Sequence, residues 1–312
     1  MGQARVPRQS AARRPAEDAS PRVVERNIES WAEFIGLMSG WSGFRNWCFR
    51  GQGDAHWPLQ SSLSRHVVVS KVHKDAWTLQ ERRIRRIFER KSHLFLASPP
   101  SGDELEWLAL MQHHGAPTRL LDFTWSPYVA AFFALERATG DAAVWALNLP
   151  LLWDLHERYR CGGVKVSRAD PRDPGAFEKY YLSNAHRFVW QGDPFRMPQR
   201  VVAQSGTFLV SSHLGLAVDH ILAGYPGSGA LLVKFVLKTD KLRTQAMSSL
   251  YSMNITNATL FPGLDGLARS MAYEFEYSWQ VDVTTNTVLP SLTDPSVPDH
   301  VLAKGRKGKL PI

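Results

Sequence analysis

At 312 residues, 44% hydrophobic and 11% aromatic, the chain can bury a substantial core, and this composition excludes a disordered polymer. Apolar runs fall short of the ~20 residues that a membrane helix needs. Two distant cysteines, Cys48 and Cys161, exclude a disulfide scaffold and a cysteine-rich zinc site, and they fit a reducing cytosol. The start, Met1-Gly2-Gln3-Ala4-Arg5-Val6-Pro7, has no apolar signal core. A cytoplasmic protein that does not enter a membrane is expected. The formal charge of +8 is concentrated at both ends and in Arg82-Arg83-Ile84-Arg85-Arg86-Ile87-Phe88-Glu89-Arg90-Lys91. There Ile84, Ile87 and Phe88 make a helical apolar stripe and leave the arginines toward water. Such a face serves solubility or contacts phosphates, and charge alone does not choose between them.

In chain order, residues 1–25 read as a flexible basic tail. A helix is predicted over Ser30–Met38, with Trp31, Phe34, Ile35 and Met38 on one face. Trp47 to Gly51 reads as a buried strand ending in a glycine turn. A long helix follows from about Asp75 to Leu94. Another is capped by Gly102-Asp103 and runs into Gln112-His113-His114, where Gly115 and Pro117 close it. Thr118–Asp122 is a short strand. Ser126-Pro127 supplies N-cap and N1 for a helix to about Ala138. Ala143–Leu149 is a strand, and residues 158–198 read mostly as loop, with a short helix near Phe177 to Tyr181. Arg200–Val210 reads as a strand interrupted at Gly206, and Ala230–Leu237 as the cleanest strand in the chain. Helices are predicted over residues 240–251 and from Leu264 toward Tyr277. This gives an α+β fold: one domain over residues 26–285 with a split, mixed β core flanked by helices, and basic tails at 1–25 and 286–312.

Candidate chemistry centres on Gln112-His113-His114-Gly115-Ala116-Pro117-Thr118-Arg119-Leu120-Leu121-Asp122-Phe123-Thr124. It places charged and polar groups directly before the apolar helix that begins at Pro127. Polar groups entering a core must be paired or cost roughly 1–3 kcal/mol each, so the segment is either a self-satisfied network or a binding site. Phe49-Arg50-Gly51-Gln52 has the same character. Dinucleotide-binding and phosphate-loop glycine patterns are absent, as are HExxH and the GxSxG elbow. His113 and His114 are adjacent and diverge on a helix, so no metal site is expected.

These segments resemble the FRG family, named for its Phe-Arg-Gly triplet. Further motifs follow in order, Arg200 with Gln204-Ser205-Gly206-Thr207-Phe208, then Leu260-Phe261-Pro262-Gly263-Leu264-Asp265-Gly266-Leu267, so the resemblance spans most of residues 31–270. A weaker resemblance is to mono-ADP-ribosyltransferases of the Arg–Ser–Glu type. Arg50-Gly51 is similar to their arginine strand. Asp122-Phe123-Thr124-Trp125-Ser126, running into Ala130-Ala131-Phe132-Phe133-Ala134, is similar to their hydroxyl strand and helix. The third element offers Gln204 where those enzymes carry Glu. This likeness implies an ADP-ribosyltransferase-like fold with NAD as substrate. It implies Arg50, Thr124, Gln204 and Asp122 as catalytic residues, and Arg50, Gly51, Gln52, His113, Thr118, Arg119, Thr124 and Ser126 as NAD contacts. Glu106 or the pair Glu274 and Glu276 are further carboxylate sources. The setting it implies is a bacterial toxin or phage-defence effector, with nucleic acid, RNA favoured, as acceptor and an antitoxin or chaperone as partner. Two alternatives stay open: a non-catalytic nucleotide- or nucleic-acid-binding module, and a nucleic-acid hydrolase using Asp122, His113 and Arg119. Each polar residue also has an ordinary structural use. Arg119 and Asp122 suit a mutual ion pair, and Thr124 suits a hydroxyl bonded to a carbonyl.

Overall fold

The computed structural model describes residues 23–40, 46–96, 99–100, 103–276, 281–282 and 287–288. Most of both expected tails lies outside them, although Thr287 and Val288 of the C-terminal one form a short strand. In chain order the elements begin with β1 (Val24–Ile28), α1 (Trp31–Gly40), β2 (Trp47–Gln52), α2 (Ser62–Val69), α3 (Trp77–Ser92) and α4 (Glu104–His113). Next come β3 (Leu120–Thr124), α5 (Pro127–Leu135), β4 (Ala142–Asn148), α6 (Leu149–Arg158), a π-helical turn at Phe177–Leu182 and β5 (Val189–Gly192). The order continues with α7 (Gln199–Ala203), β6 (Gly206–Ser211), α8 (Val218–Ala223), β7 (Leu232–Leu237) and α9 (Thr239–Ser252). Last are α10 (Asn257–Leu260), α11 (Leu264–Glu276), β8 (Val281–Asp282) and β9 (Thr287–Val288). The chain divides into two compact units, Met1–Arg243 and Thr244–Ile312.

The first unit is built on a seven-stranded sheet of order β1-β7-β4-β2-β3-β6-β5. It is mixed, because β1 runs parallel to β7 while the other pairings are antiparallel. The α+β class with a mixed sheet flanked by helices is as the sequence implies. Within the sheet, β2 pairs β4 at six positions but meets β3 at one, Phe49 opposite Thr124. Beyond that pair the two strands part, and the site lies in the gap.

Strand alternation assigns the faces. Gly51, Val144 and Phe235 share one face through successive register pairs. There a Cβ on Gly51 would lie 2.0 Å from the carbonyl oxygen of Ala130, so α5 rests directly on β2. Phe34 of α1 meets Phe235 edge-on, with ring centroids 6.4 Å apart, and stacks on Trp31 at 5.2 Å. The principal core gathers Leu105, Leu108, Leu121, Phe123, Leu152, Leu155, Leu209 and Ile221, drawing α4, α6 and α8 onto the sheet. Helix starts are chemically marked. Asp103 accepts from the Leu105 N–H at 2.9 Å, Ser126 from Val129 at 3.3 Å and Asn148 from Leu151 at 3.2 Å.

Three local expectations change. The stretch Arg200–Ala203 is helical rather than strand. Pro198 opens α7 as its N-cap, and the strand begins only at Gly206. Gln204 therefore caps a helix and precedes β6. Val24 and Glu25, read as tail, belong to β1, where Glu25 stands opposite Lys234 and receives its ammonium hydrogen bond at 2.8 Å. Within the expected loop, Val189–Gly192 forms β5 against β6. The second unit contains α10, entered through a reciprocal Thr256–Thr259 capping box, then α11 and the β8–β9 pair.

Candidate functional site

A cleft of about 450 Å³ opens where β2 and β3 part. Phe49, Arg50, Gly51 and Gln52 of β2 border it, with Asp122, Phe123 and Thr124 of β3 and Phe133 of α5. The loop after β2 adds Trp57, Pro58 and Gln60, α2 adds Arg65, and α7 adds Arg200 with its cap Gln204. Three guanidinium groups face one carboxylate, that of Asp122, among these lining residues, so the cleft is electropositive and suits an anionic ligand.

Arg50 lies at its centre. One terminal nitrogen donates to the Asp122 carbonyl at 2.7 Å. Its Nε is buried and has no hydrogen-bond partner in the protein. Burial holds this guanidinium below its ordinary pKa, the Asp122 carboxylate opposes that effect, and Arg65 adds to it. A guanidinium lining the cleft has the chemistry to pair with a phosphate or carboxylate. Arg65 is oriented by a 2.7 Å hydrogen bond to the Gln60 carbonyl.

The four residues expected to be catalytic, Arg50, Asp122, Thr124 and Gln204, thus share one cleft. Their hydroxyl member is already committed. Thr124 donates to the Gln204 carbonyl at 2.7 Å and accepts from the Ser126 N–H at 3.1 Å, stitching β3 to the turn before β6. Gly51 and Gln52 also border the cleft while serving the framework. Gln52 is buried, donates to the Pro58 carbonyl at 3.1 Å and accepts from the Trp145 indole at 2.6 Å.

The remaining expected contacts do not line the cleft. Arg119 is sealed in the core. Its Nε meets Glu81 Oε1 at 2.6 Å, a second nitrogen bonds Oε2, a third donates to the Ser211 carbonyl at 2.8 Å, and Phe177 covers the group. Arg119 therefore pairs with Glu81 and not with Asp122. The buried hydroxyl of Thr118 bonds Gln112 and accepts from Leu120 at 3.2 Å. Ser126 uses its hydroxyl as the α5 cap. His113 ends α4 with a buried, unpartnered Nδ1. Burial, aided by His114 and Arg200, lowers its pKa below the ordinary histidine value. The trio Asp122, His113 and Arg119 is consequently not gathered at the cleft. Glu106 is buried outside the lining, and the side chains of Glu274 and Glu276 lie outside the described residues.

Sequence reasoning missed Trp57, Arg65 and Arg200 as lining groups. Arg200 falls inside a motif of the family resemblance, and Trp57 follows the Phe49-Arg50-Gly51-Gln52 segment by five residues. Arg65 stands in Ser62–Val69, whose pattern carries no ligand signal. Among the described residues, no cluster of His, Cys, Asp and Glu is arranged to hold a metal ion, and no helix is long and apolar enough to cross a membrane.

The chain is thus an α+β protein with a cationic cleft at a break in its central sheet. Residues 45–142 match the family model of the FRG domain, a stretch that runs from β2 to α5 and includes the Phe49-Arg50-Gly51 triplet bordering the cleft. No curated protein and no solved structure matches the chain.

Proposed function

We propose that the cleft binds NAD and carries ADP-ribosyl transfer. The observation that supports this most is the convergence of Arg50, Asp122, Thr124 and Gln204, from three separate segments, on one hollow of about 450 Å³. Pockets of roughly 300–1,000 Å³ are usual for small-molecule and cofactor sites. In this reading Arg50, with Arg65 and Arg200, binds the pyrophosphate. The bond between the nicotinamide nitrogen and the ribose breaks, and its electron pair leaves with neutral nicotinamide. The Asp122 carboxylate stabilises the positive charge left on the ribose. An acceptor nucleophile then bonds the anomeric carbon and releases its proton to Asp122 or solvent. Gln204 hydrogen-bonds a ribose hydroxyl, and Thr124 fixes the strand that carries Asp122. Nucleic acid, RNA favoured, is the acceptor class in best accord with the exposed Arg83, Arg86 and Arg90 of α3, which lack ion-pair partners within the described residues. Such an effector, whether toxin or phage-defence protein, calls for a restraining antitoxin.

A second reading, a nucleotide-binding module without turnover, is favoured by the engaged Thr124 hydroxyl and by a glutamine at position 204. Incubating the full chain with labelled NAD and RNA, DNA or lysate protein separates the two. Transfer of label or release of nicotinamide, abolished by Arg50→Ala, supports the enzyme. Saturable NAD binding without either product supports the module. Absence of binding by the folded protein defeats both.

A further inference from the structure

Trp57 is 56% exposed although the loop that carries it beside the cleft is tethered on both sides. Ala55, before it, is buried, and its N–H donates to the Asp141 carbonyl at 2.8 Å. Asp54 accepts from the His56 N–H at 2.8 Å, and the Trp57 N–H returns to the Asp54 carbonyl at 3.3 Å. On the other side, the Pro58 carbonyl receives Gln52, whose own orientation is set by the Trp145 indole. Leu59 is fully buried. Its N–H donates to Asp219 Oδ1 at 3.1 Å, and its carbonyl accepts from Val218 at 2.8 Å.

A loop pinned so closely could have turned its largest apolar side chain inward; instead the indole stands at the wall of a cleft that also presents Arg50, Arg65 and Arg200. An aromatic plane beside clustered guanidinium groups matches a ligand with a flat heteroaromatic ring at one end and phosphates at the other. Tethered backbone on both sides fixes the position from which the indole projects before the ligand arrives, which lowers the entropy cost of ordering the loop on binding.

We infer that Trp57 is the base platform of the cleft: it stacks on a heteroaromatic ring of the nucleotide while the three arginines hold the phosphates. The inference rests on the NAD reading and specifies the part of the ligand that this wall recognises. Trp57 is a specificity residue in this role and takes no part in bond cleavage.

The test measures binding of NAD and, separately, of inorganic pyrophosphate to the full chain and to Trp57→Ala, Trp57→Phe and Arg50→Ala variants. Melting curves check that each variant is folded. Loss of one base–aromatic stack weakens binding by about 5- to 150-fold. Trp57→Ala is therefore expected to weaken NAD by that amount and leave pyrophosphate unchanged. Trp57→Phe, which keeps a flat ring, should stay within about threefold of the parent for NAD. Arg50→Ala should weaken both ligands. Equal NAD affinity in the parent and Trp57→Ala overturns the platform while the NAD reading stands. Parallel loss of NAD and pyrophosphate in Trp57→Ala also overturns it, because the indole would then shape the anion site. No NAD binding by the parent overturns both claims together.

Discussion

Arg119 and Glu81 form a two-pronged ion pair in the core, with Nε to Oε1 at 2.6 Å, both residues almost inaccessible to solvent. The pair joins the residue just before β3 to α3 across 38 residues, and the Ser211 carbonyl accepts a further guanidinium hydrogen bond. Breaking one side of such a pair leaves a buried charge uncompensated, at about 3–5 kcal/mol. Arg119→Leu should therefore lower unfolding stability by about that amount in urea titration. Arg119→Lys should recover part of the loss, because one ammonium cannot serve two carboxylate oxygens and a carbonyl with the same fork. A variant of unchanged stability that lost NAD binding would return Arg119 to the ligand.

Gly51 makes a second structural prediction, and one about the family triplet itself. A Cβ there would meet backbone atoms of Ala130 at 2.0 Å and Ala134 at 2.6 Å. Those atoms belong to a buried helix and cannot swing aside as a side-chain tip would. Gly51→Ala should push α5 from β2 and cost roughly 3 kcal/mol or more, the upper end of overpacking effects. Thermal melting measures it. A melting temperature equal to the parent's would show that α5 shifts freely over the strand.

The acid limb of stability should depend on His156. This α6 residue is buried against the Tyr225 ring, with centroids 5.8 Å apart, and its Nε2 has no partner. Burial depresses its pKa from 6.5 to about 4, with Glu157 opposing weakly. The unfolded chain takes up this proton near pH 6.5 and the folded chain only near pH 4, so stability is full above the first value and falls as pH drops through the window. The loss due to this group is about 2 kcal/mol between pH 8 and pH 5. His113 and His213, also lowered chiefly by burial, act in the same direction. Urea titrations at both pH values should show that His156→Phe removes about 2 kcal/mol of the acid-induced loss. An unchanged pH difference would place the protonation elsewhere.

Legibility from sequence followed the range of the interactions that determine each element. Helix α5 was readable because Ser126, Pro127 and the following apolar run state its start and its burial locally. Strands β1 and β5 were not, since one gains its partner from β7 more than 200 residues later and the other sits among glycines, prolines and aspartates. Val201-Val202 suggested a strand through β-branching, yet Pro198 starts a helical turn, and Val201 packs where a Cβ on Gly206 would lie. The Phe-Arg-Gly and Leu-Leu-Asp-Phe-Thr segments, singled out in the sequence, both contribute lining residues to the one cleft. The error over Arg119 was avoidable in part. Positions 119 and 122 differ by an odd number, so a strand sends them to opposite faces. Arg65 and Trp57 join the cleft through tertiary packing of α2 and its preceding loop, for which no spacing rule exists.

Asp122 provides the sharpest test of chemistry. Its carboxylate is exposed, it stands on β3 beside Arg50, and it is the sole carboxylate among the residues lining the cleft. Its backbone carbonyl already anchors Arg50, and that contact survives a change confined to the side chain. Asp122→Asn preserves size and hydrogen bonding while removing the negative charge. If that charge stabilises an electron-poor ribose, the variant should bind NAD within a few-fold of the parent while nicotinamide release falls by about 10²–10³-fold, the usual effect of losing one such electrostatic contact. Gln204→Glu tests the same idea in reverse by adding a carboxylate at a second lining position of the cleft, and it should partly restore turnover in the Asp122→Asn background. A double variant as inactive as Asp122→Asn, together with normal NAD affinity, would mean that position 204 does not reach the reacting carbon. Full activity in Asp122→Asn would remove Asp122 from the mechanism and leave the cleft as a binding site.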